Sequence, residues 1–488
     1  MRDLVVLINL DGAACRSMAR KLRAEHIYCK ILPADATDEM VHAQEALGIL
    51  LPGGAKGEAP DIPHLDRLLA AGLPVLGMGD AALTLCQFLG GMLGEKAADP
   101  QVLQVHYDHD DPVFTQVEDG ERYLAVPRTI TPPEKTEVVA RAEAGILGFR
   151  LAQQPVYALA FHAEQNDPDG VQMLINFCKN VCGCTLWWSN QAFVDNARRE
   201  IERLANGGDA VCALSGGVDS GVCAVIGNMA LGHRLHCIFV DTGLLRLDEG
   251  DRVMQYFQHD VGLNLKRIDA KERFLAALKG VTESAEKETI IFRLLKEILE
   301  KETAQLPNVR LIIQGTNYSD ALRDGTLQPL SSTDEGVQII EPVRELFKDE
   351  IRRVGEEIGL PTMVIHRQPF PGSGLALRIL GEVTEERLDI LRQADAIFRA
   401  EIEQSGQAKR LWQYFATLVS DPMRGETDHY VVVLRAVQAA DGSAATASRL
   451  PYDLLERVCQ GIRQNCPRVR RVMYDLTPSN GYSEIEWC

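Results

Sequence analysis

The sequence predicts an α/β protein built as two successive α/β units followed by a small α+β unit. Three observations predict it. Over residues 1–185, and again from 190, short apolar runs ending in glycine, histidine or polar residues alternate with helix-forming stretches, the pattern of parallel strands joined by helices. One run, "VCALSGGVDSGVCAVI", turns from strand to helix through a loop of glycine and serine. From residue 371 the alternation gives way to long helices interleaved with strand-like runs. A length of 488 residues accommodates about three domains at roughly 100–200 residues each.

In the first unit "LVVLINL", "GILLPGG", "LPVLGMG" and "VYALAFHAE" are predicted strands of a mainly parallel sheet, with any site at their C-terminal ends. "PVLGMGDAALTLCQFLGG" is a strand running through a glycine-rich elbow into a helix. Such an elbow commonly presents a nucleophile on the turn, with a helix N-terminus aimed at it. Here the turn holds Met78, Gly79 and Asp80, none of them a thiol or hydroxyl. Cys86 lies two helical turns further on and is expected to be a buried helix residue. The twelve cysteines are scattered, without the framework of a small disulfide-rich domain. No apolar run approaches the roughly 20 residues of a membrane span. A reduced, cytoplasmic setting is the expectation. "CGC" at Cys182–Cys184 is too tightly spaced for a zinc pair and is read as structural. The formal net charge of −18 argues against nucleic-acid partners, whose phosphates require neutralisation.

The second unit has predicted strands "AVCALSGG", "LHCIFVDTG" and "VRLIIQGTNYSD". After the first comes Ser215-Gly216-Gly217-Val218-Asp219-Ser220 and then a helix. Glycines let backbone N–H groups face an oxyanion, the helix N-terminus adds partial positive charge, and the Ser215 and Ser220 hydroxyls can donate to phosphate oxygens. The loop lacks the Gly-Lys-Ser/Thr ending of a Walker A motif. It resembles the PP-loop of ATP pyrophosphatases, which split ATP between the α- and β-phosphates and transfer AMP to a substrate oxygen. The resemblance implies ATP with Mg²⁺ at residues 215–220, with Asp241 and Gly315 at neighbouring strand ends. It implies Asp219 and Lys348 as catalytic groups, Asp219 also meeting the metal through ATP.

"CGCTLWW", "SGGVDS", "FVDTGLLR", "EPVRELFKDEIRRVG", "QPFPGSGLALRILGE", "LRAVQAADG", "RLPYDLLE" and the ending "IEW" together resemble the GMP synthetase family over nearly the whole chain. The resemblance implies a flavodoxin-like class I glutaminase domain at residues 1–188, a doubly wound ATP pyrophosphatase domain at 189–370 and a C-terminal dimerisation and substrate-binding domain at 371–488. Pro371, Gly372, Arg378 and Glu486 are then expected at a purine nucleotide, and a homodimer is expected.

The departures are informative. Aligned on the family's "GICYGMQ" elbow, the nucleophile position is Gly79, whereas His162 and Glu164 of the triad remain. A base and its orienting carboxylate form no thioester without the thiol. The first domain is therefore expected to have lost glutaminase activity. The family's histidine-bearing loop before "EPVREL" is shortened here, and its Lys-Pro-Pro ending is replaced by "TPSNGYSEIEWC". Three readings follow. A ligase could adenylate an XMP-like carbonyl oxygen and use ammonia from elsewhere. The same activation could install sulfur on a guanine nucleotide with a sulfur-donating partner. A non-catalytic regulatory paralogue is the third. No nucleic-acid or membrane partner is expected.

Overall fold

The protein is described by a computed structural model covering residues 3–124, 126–162, 168–323, 337–421, 429–439 and 445–479. It forms two compact units, Met1–Phe193 and Val194–Cys488.

In the first unit, Cys29–Leu32, Val5–Ile8, Gly48–Pro52, Val75–Met78 and Val156–Leu159 lie side by side in that order, all parallel. This is the flavodoxin-like strand order. Four of the five are entirely buried, which is why they read as continuous apolar runs. The sheet then continues antiparallel through Gly145–Leu151, Thr136–Ala142, Gln101–Tyr107 and Gly120–Leu124. The expected mainly parallel sheet is thus half antiparallel. The added strands carry many solvent-facing polar residues; in Gln101–Tyr107 only Val105 and Tyr107 are buried. Their apolar signal is correspondingly weak.

The "CGCTLWW" stretch ties the end of this unit to its beginning. Trp188 stacks on Tyr28 with ring centroids 4.6 Å apart, and its N–H donates to the His26 carbonyl at 2.9 Å. The Thr185 hydroxyl donates to Asp3 at 2.6 Å, and the Trp187 indole N–H donates to the Asp3 carbonyl at 3.0 Å. Cys182 and Cys184 are free thiols, and no metal-binding group of three or more ligands occurs among the described residues.

The second unit begins with a parallel five-stranded sheet ordered Leu265–Asp269, Leu235–Asp241, Asp209–Ala213, Val309–Ile313, Gln338–Ile340. Asp209–Ala213 is first in sequence and central in space. The strand order reverses beside it, the switch point where open α/β sheets bind ligands. The helix Glu385–Gln404 is capped by Thr384, which accepts from the Arg387 N–H at 3.3 Å. It packs on a second sheet of Gln413–Ser420, Tyr430–Ala439, Ala445–Ala447 and Val469–Tyr474. A single apolar cluster runs from Ile238 and Val240 through Leu375 and Leu391 to Leu434, so the two sheets share one core. Among the described residues no helix is long and apolar enough to cross a membrane.

Candidate active site

The strand Asp209–Ala213 passes through Leu214–Gly217 into the helix Val218–Leu231. Gly216 has φ +76°, and a Cβ there would lie 2.5 Å from Val253 Cγ2, so conformation and space both require glycine. The loop is braced internally. The Ser215 N–H donates to Ser220 Oγ at 3.2 Å, the two hydroxyls are 3.0 Å apart, and Ser220 Oγ donates to the Gly217 carbonyl at 3.2 Å. Ser220 is therefore buried as a brace, whereas Ser215 is exposed at the mouth. The first-turn N–H groups of the helix, from Val218 onward, have no intrahelical partner and suit an anion.

Asp219 sits in that first turn. Its Oδ2 is ion-paired with Lys348 Nζ and accepts from Asn317 Nδ2 at 3.4 Å. Its Oδ1 is buried with no hydrogen-bond partner among the described residues. Lys348 is the first residue of the helix Lys348–Glu357, where a cation opposes the helix dipole. Its place is explained by the carboxylate it meets, 129 positions earlier in the chain. Gly315 belongs to the packing of this site: a Cβ there would lie 2.8 Å from the Ser220 backbone nitrogen. Asn317 and Asp320, joined by a 2.7 Å hydrogen bond, complete the wall. In "QGTNYSD" the sequence pattern points to Gly315 alone, because the contacts of Asn317 and Asp219 join residues 98 positions apart.

Asp241 lies at the end of the neighbouring strand, yet its carboxylate is engaged. It accepts from the Gly243 N–H at 3.0 Å and from Arg267 Nε at 3.1 Å. A second cation missed in the sequence is Arg367, whose Nη1 lies 3.5 Å from the position a Cβ would take on Gly216. Arg367 pairs with Glu249, which accepts the Arg246 N–H at 3.1 Å. Burial alone would raise the Glu249 pKa, but Arg367 and Arg246 hold it below the usual carboxylate value.

The segment from Pro371 to Arg378 lies against the loop after Asp241. Leu375 N–H donates to the Leu244 carbonyl at 2.8 Å, and Gly374, with φ +68°, comes so close that a Cβ would lie 2.5 Å from that carbonyl oxygen. The Pro371 carbonyl closes the turn, accepting from Gly374 N–H at 2.9 Å, and Gly372 is exposed beside Phe292. Arg378, expected at the substrate, is fully buried. Its guanidinium lies 4.1 Å from the Phe415 ring centroid and 4.0 Å from Asp395. It supports the segment from beneath. Lys287, which the sequence did not flag, donates from Nζ to the Ile379 carbonyl at 2.7 Å and the Ala376 carbonyl at 3.3 Å. Burial, reinforced by Arg387, pushes its pKa down to about 8. Glu486 lies outside the described residues.

The elbow of the first unit is present, and its interior is filled. Gly79 has φ +58°, between the strand Val75–Met78 and the helix Asp80–Phe88. A Cβ on Gly79 would lie 2.4 Å from both Cε1 and Nε2 of His162 and 2.8 Å from the Gly54 carbonyl oxygen. His162 Nε2 is 2.8 Å from that same oxygen. The Asp80 carboxylate accepts from the Lys56 N–H at 2.7 Å and the Gly57 N–H at 2.8 Å, so the amides of the loop after "LPGG" already hold an internal anion. Burial raises the Asp80 pKa against these bonds and His162. Cys86 is buried, and burial pushes its thiol up to about 11. Glu164 lies outside the described residues.

Comparison with known proteins matches two families along this part of the chain. Residues 190–410 match the NAD synthase family and residues 400–487 match the GMP synthase C terminal domain. The chain is 36% identical to a protein named GMP synthase [glutamine-hydrolyzing] from Caldanaerobacter subterraneus subsp. tengcongensis, over 100% of this chain and 99% of that protein. It is 37% identical to the protein of the same name from Caldicellulosiruptor saccharolyticus, over 99% of each. The chain belongs to the GMP synthase family.

Proposed function

We propose that this chain is an ATP-dependent ligase that adenylates a carbonyl oxygen of an XMP-like purine nucleotide and takes its ammonia from outside its own first unit. In the first step the carbonyl oxygen attacks the α-phosphorus of ATP and pyrophosphate leaves. In the second, ammonia adds to the activated carbon, AMP departs with the former carbonyl oxygen, and a proton is lost from nitrogen. The family relationship supports the adenylating half. The 215–220 loop, with Asp219, Lys348 and Arg367 at its rim, supports its location.

The residues fit a divalent cation carried by ATP. Asp219 offers a buried carboxylate oxygen that no hydrogen bond among the described residues uses, and Mg²⁺ commonly binds through one or two carboxylates plus substrate phosphates. When bound, the ion would neutralise charge on the departing pyrophosphate. Lys348 holds the Asp219 carboxylate in place meanwhile, and the helix N–H groups orient the phosphates.

One observation supports the reading that glutaminase activity is lost. The volume that a nucleophilic side chain at position 79 would need is taken by the His162 ring. Asp80 takes the neighbouring Lys56 and Gly57 amides, and Gly79 offers a glutamine amide no attacking atom. The test is pyrophosphate release over a panel of purine nucleotides with ammonium, sulfide or glutamine. Turnover with XMP and ammonium, at background with glutamine, is expected. Turnover with a guanine nucleotide and sulfide would replace this reading by thiolation. No nucleotide-dependent release would make the chain a non-catalytic relative.

A further inference from the structure

We infer that Asp395 is a positioning residue that couples the ATP loop to the acceptor-nucleotide segment, through a buried line of alternating charges. The inference rests on the proposed function for the identity of the two ligands.

Asp395 lies on the inner face of the helix Glu385–Gln404 and is 1% exposed. One oxygen accepts the Ala416 N–H at 3.1 Å, which fixes the carboxylate to the C-terminal sheet. That same oxygen is 4.0 Å from Arg378 of the acceptor segment. The other is 3.4 Å from Nε of Arg246. Arg246 belongs to the loop that follows Asp241. It is 5% exposed, and none of its guanidinium nitrogens has a hydrogen-bond partner among the described residues. Its backbone N–H meets Glu249, Glu249 pairs with Arg367, and Arg367 borders Gly216 of the ATP loop. Three of these arginines, Arg246, Arg367 and Arg378, also surround one ring, Phe370, at 4.2, 5.5 and 5.2 Å from its centroid.

The line therefore runs Gly216, Arg367, Glu249, Arg246, Asp395, Arg378. Arg246 is a buried cation balanced by Asp395 and Glu249, and it is sensitive to a shift of either, because an uncompensated buried charge is costly. A movement of Arg367 when phosphates bind is felt by Glu249 and Arg246, and Asp395 carries it on to Arg378 by charge. Arg392 reinforces the same junction, donating from Nε to the Leu245 carbonyl at 3.0 Å.

The experiment measures coupling between the two ligands by calorimetry on the full chain with Mg²⁺. The affinity for α,β-methylene-ATP, which cannot be cleaved at the reacting bond, is determined with and without saturating XMP. The wild type is expected to bind the analogue about tenfold more tightly with XMP present, within the usual range of coupling. Asp395→Asn is expected to bind the analogue alone about as well as wild type, with the enhancement by XMP reduced to less than about twofold. A purely structural role would lower the active fraction and leave that ratio unchanged. If Asp395→Asn does not fold, the charge-balanced pair Arg246→Gln with Asp395→Asn serves in its place, with the same loss expected. A folded variant that keeps the wild-type enhancement overturns the inference. A wild type that binds XMP but holds the analogue equally tightly with and without it also overturns the inference, whereas a wild type with no heat of XMP binding overturns the acceptor assignment instead.

Discussion

The molecule contains two strand–turn–helix elbows of similar design, and they have opposite interiors. Both stand at the C-terminal ends of parallel strands, both turn on a glycine with positive φ, and both present a helix N-terminus. At Gly216 the turn is braced by serine hydroxyls below while its mouth stays open, and the acid on the helix keeps one oxygen free of hydrogen bonds. At Gly79 the histidine and the aspartate that line the turn bond to the turn's own neighbours. A glycine elbow is thus a frame. Whether it binds anything depends on whether surrounding side chains satisfy its backbone groups from within or leave them for a ligand.

Removing chemistry from the open elbow should have the largest effect. Asp219→Ala is expected to lower pyrophosphate release by at least about 10³-fold with the fold intact by circular dichroism, because it removes the carboxylate proposed to meet the metal and strands Lys348. A variant releasing pyrophosphate at the wild-type rate would mean that this loop is not the ATP site. Lys348→Met should cost about 10²-fold in kcat, measured in the same assay.

The frame itself comes next. Gly216→Ala forces a side chain into positive φ and against Val253, and should lower stability by roughly 1–3 kcal/mol in urea titration. It should also weaken ATP binding. Gly79→Cys should lower stability by a similar roughly 1–3 kcal/mol, since its Cβ meets the His162 ring. Glutamate release should stay at background. Substantial glutaminase activity from this one change would show that His162 swings clear and that only the thiol had been lost.

The smallest effect concerns Lys287. Its pKa is lowered from 10.5 to about 8 in the fold, so the unfolded chain binds the extra proton between those values and stability rises with pH across that window. Lys287→Met should flatten the rise. A thermal midpoint that climbs between pH 8 and 10 equally in variant and wild type would remove Lys287 as its cause.

These differences divide what was legible in the sequence. The buried parallel strands were, because burial on both faces writes itself as unbroken apolar runs. So was the 215–220 loop, where glycine, serine and aspartate stand at fixed local spacing. The half-solvated strands of the first sheet were not, since polar residues interrupt their pattern. The absent nucleophile at Gly79 could be seen, but its replacement by the His162 ring could not, because that contact joins residues 83 positions apart. Arg378 and Asp241 show the converse. Local motif context marks them, but it does not reveal that Asp395 and Arg267, distant in sequence, engage them inside the protein.

The most direct measurement of the central claim is a paired assay on the purified chain with ATP, Mg²⁺ and XMP, counting AMP and glutamate together. With ammonium as nitrogen source, AMP should accumulate in step with aminated nucleotide. With glutamine alone, glutamate should remain at the level of a protein-free control. Glutamate released in stoichiometric step with AMP would contradict the account, because it would mean that the elbow closed by His162 and Asp80 still hydrolyses glutamine.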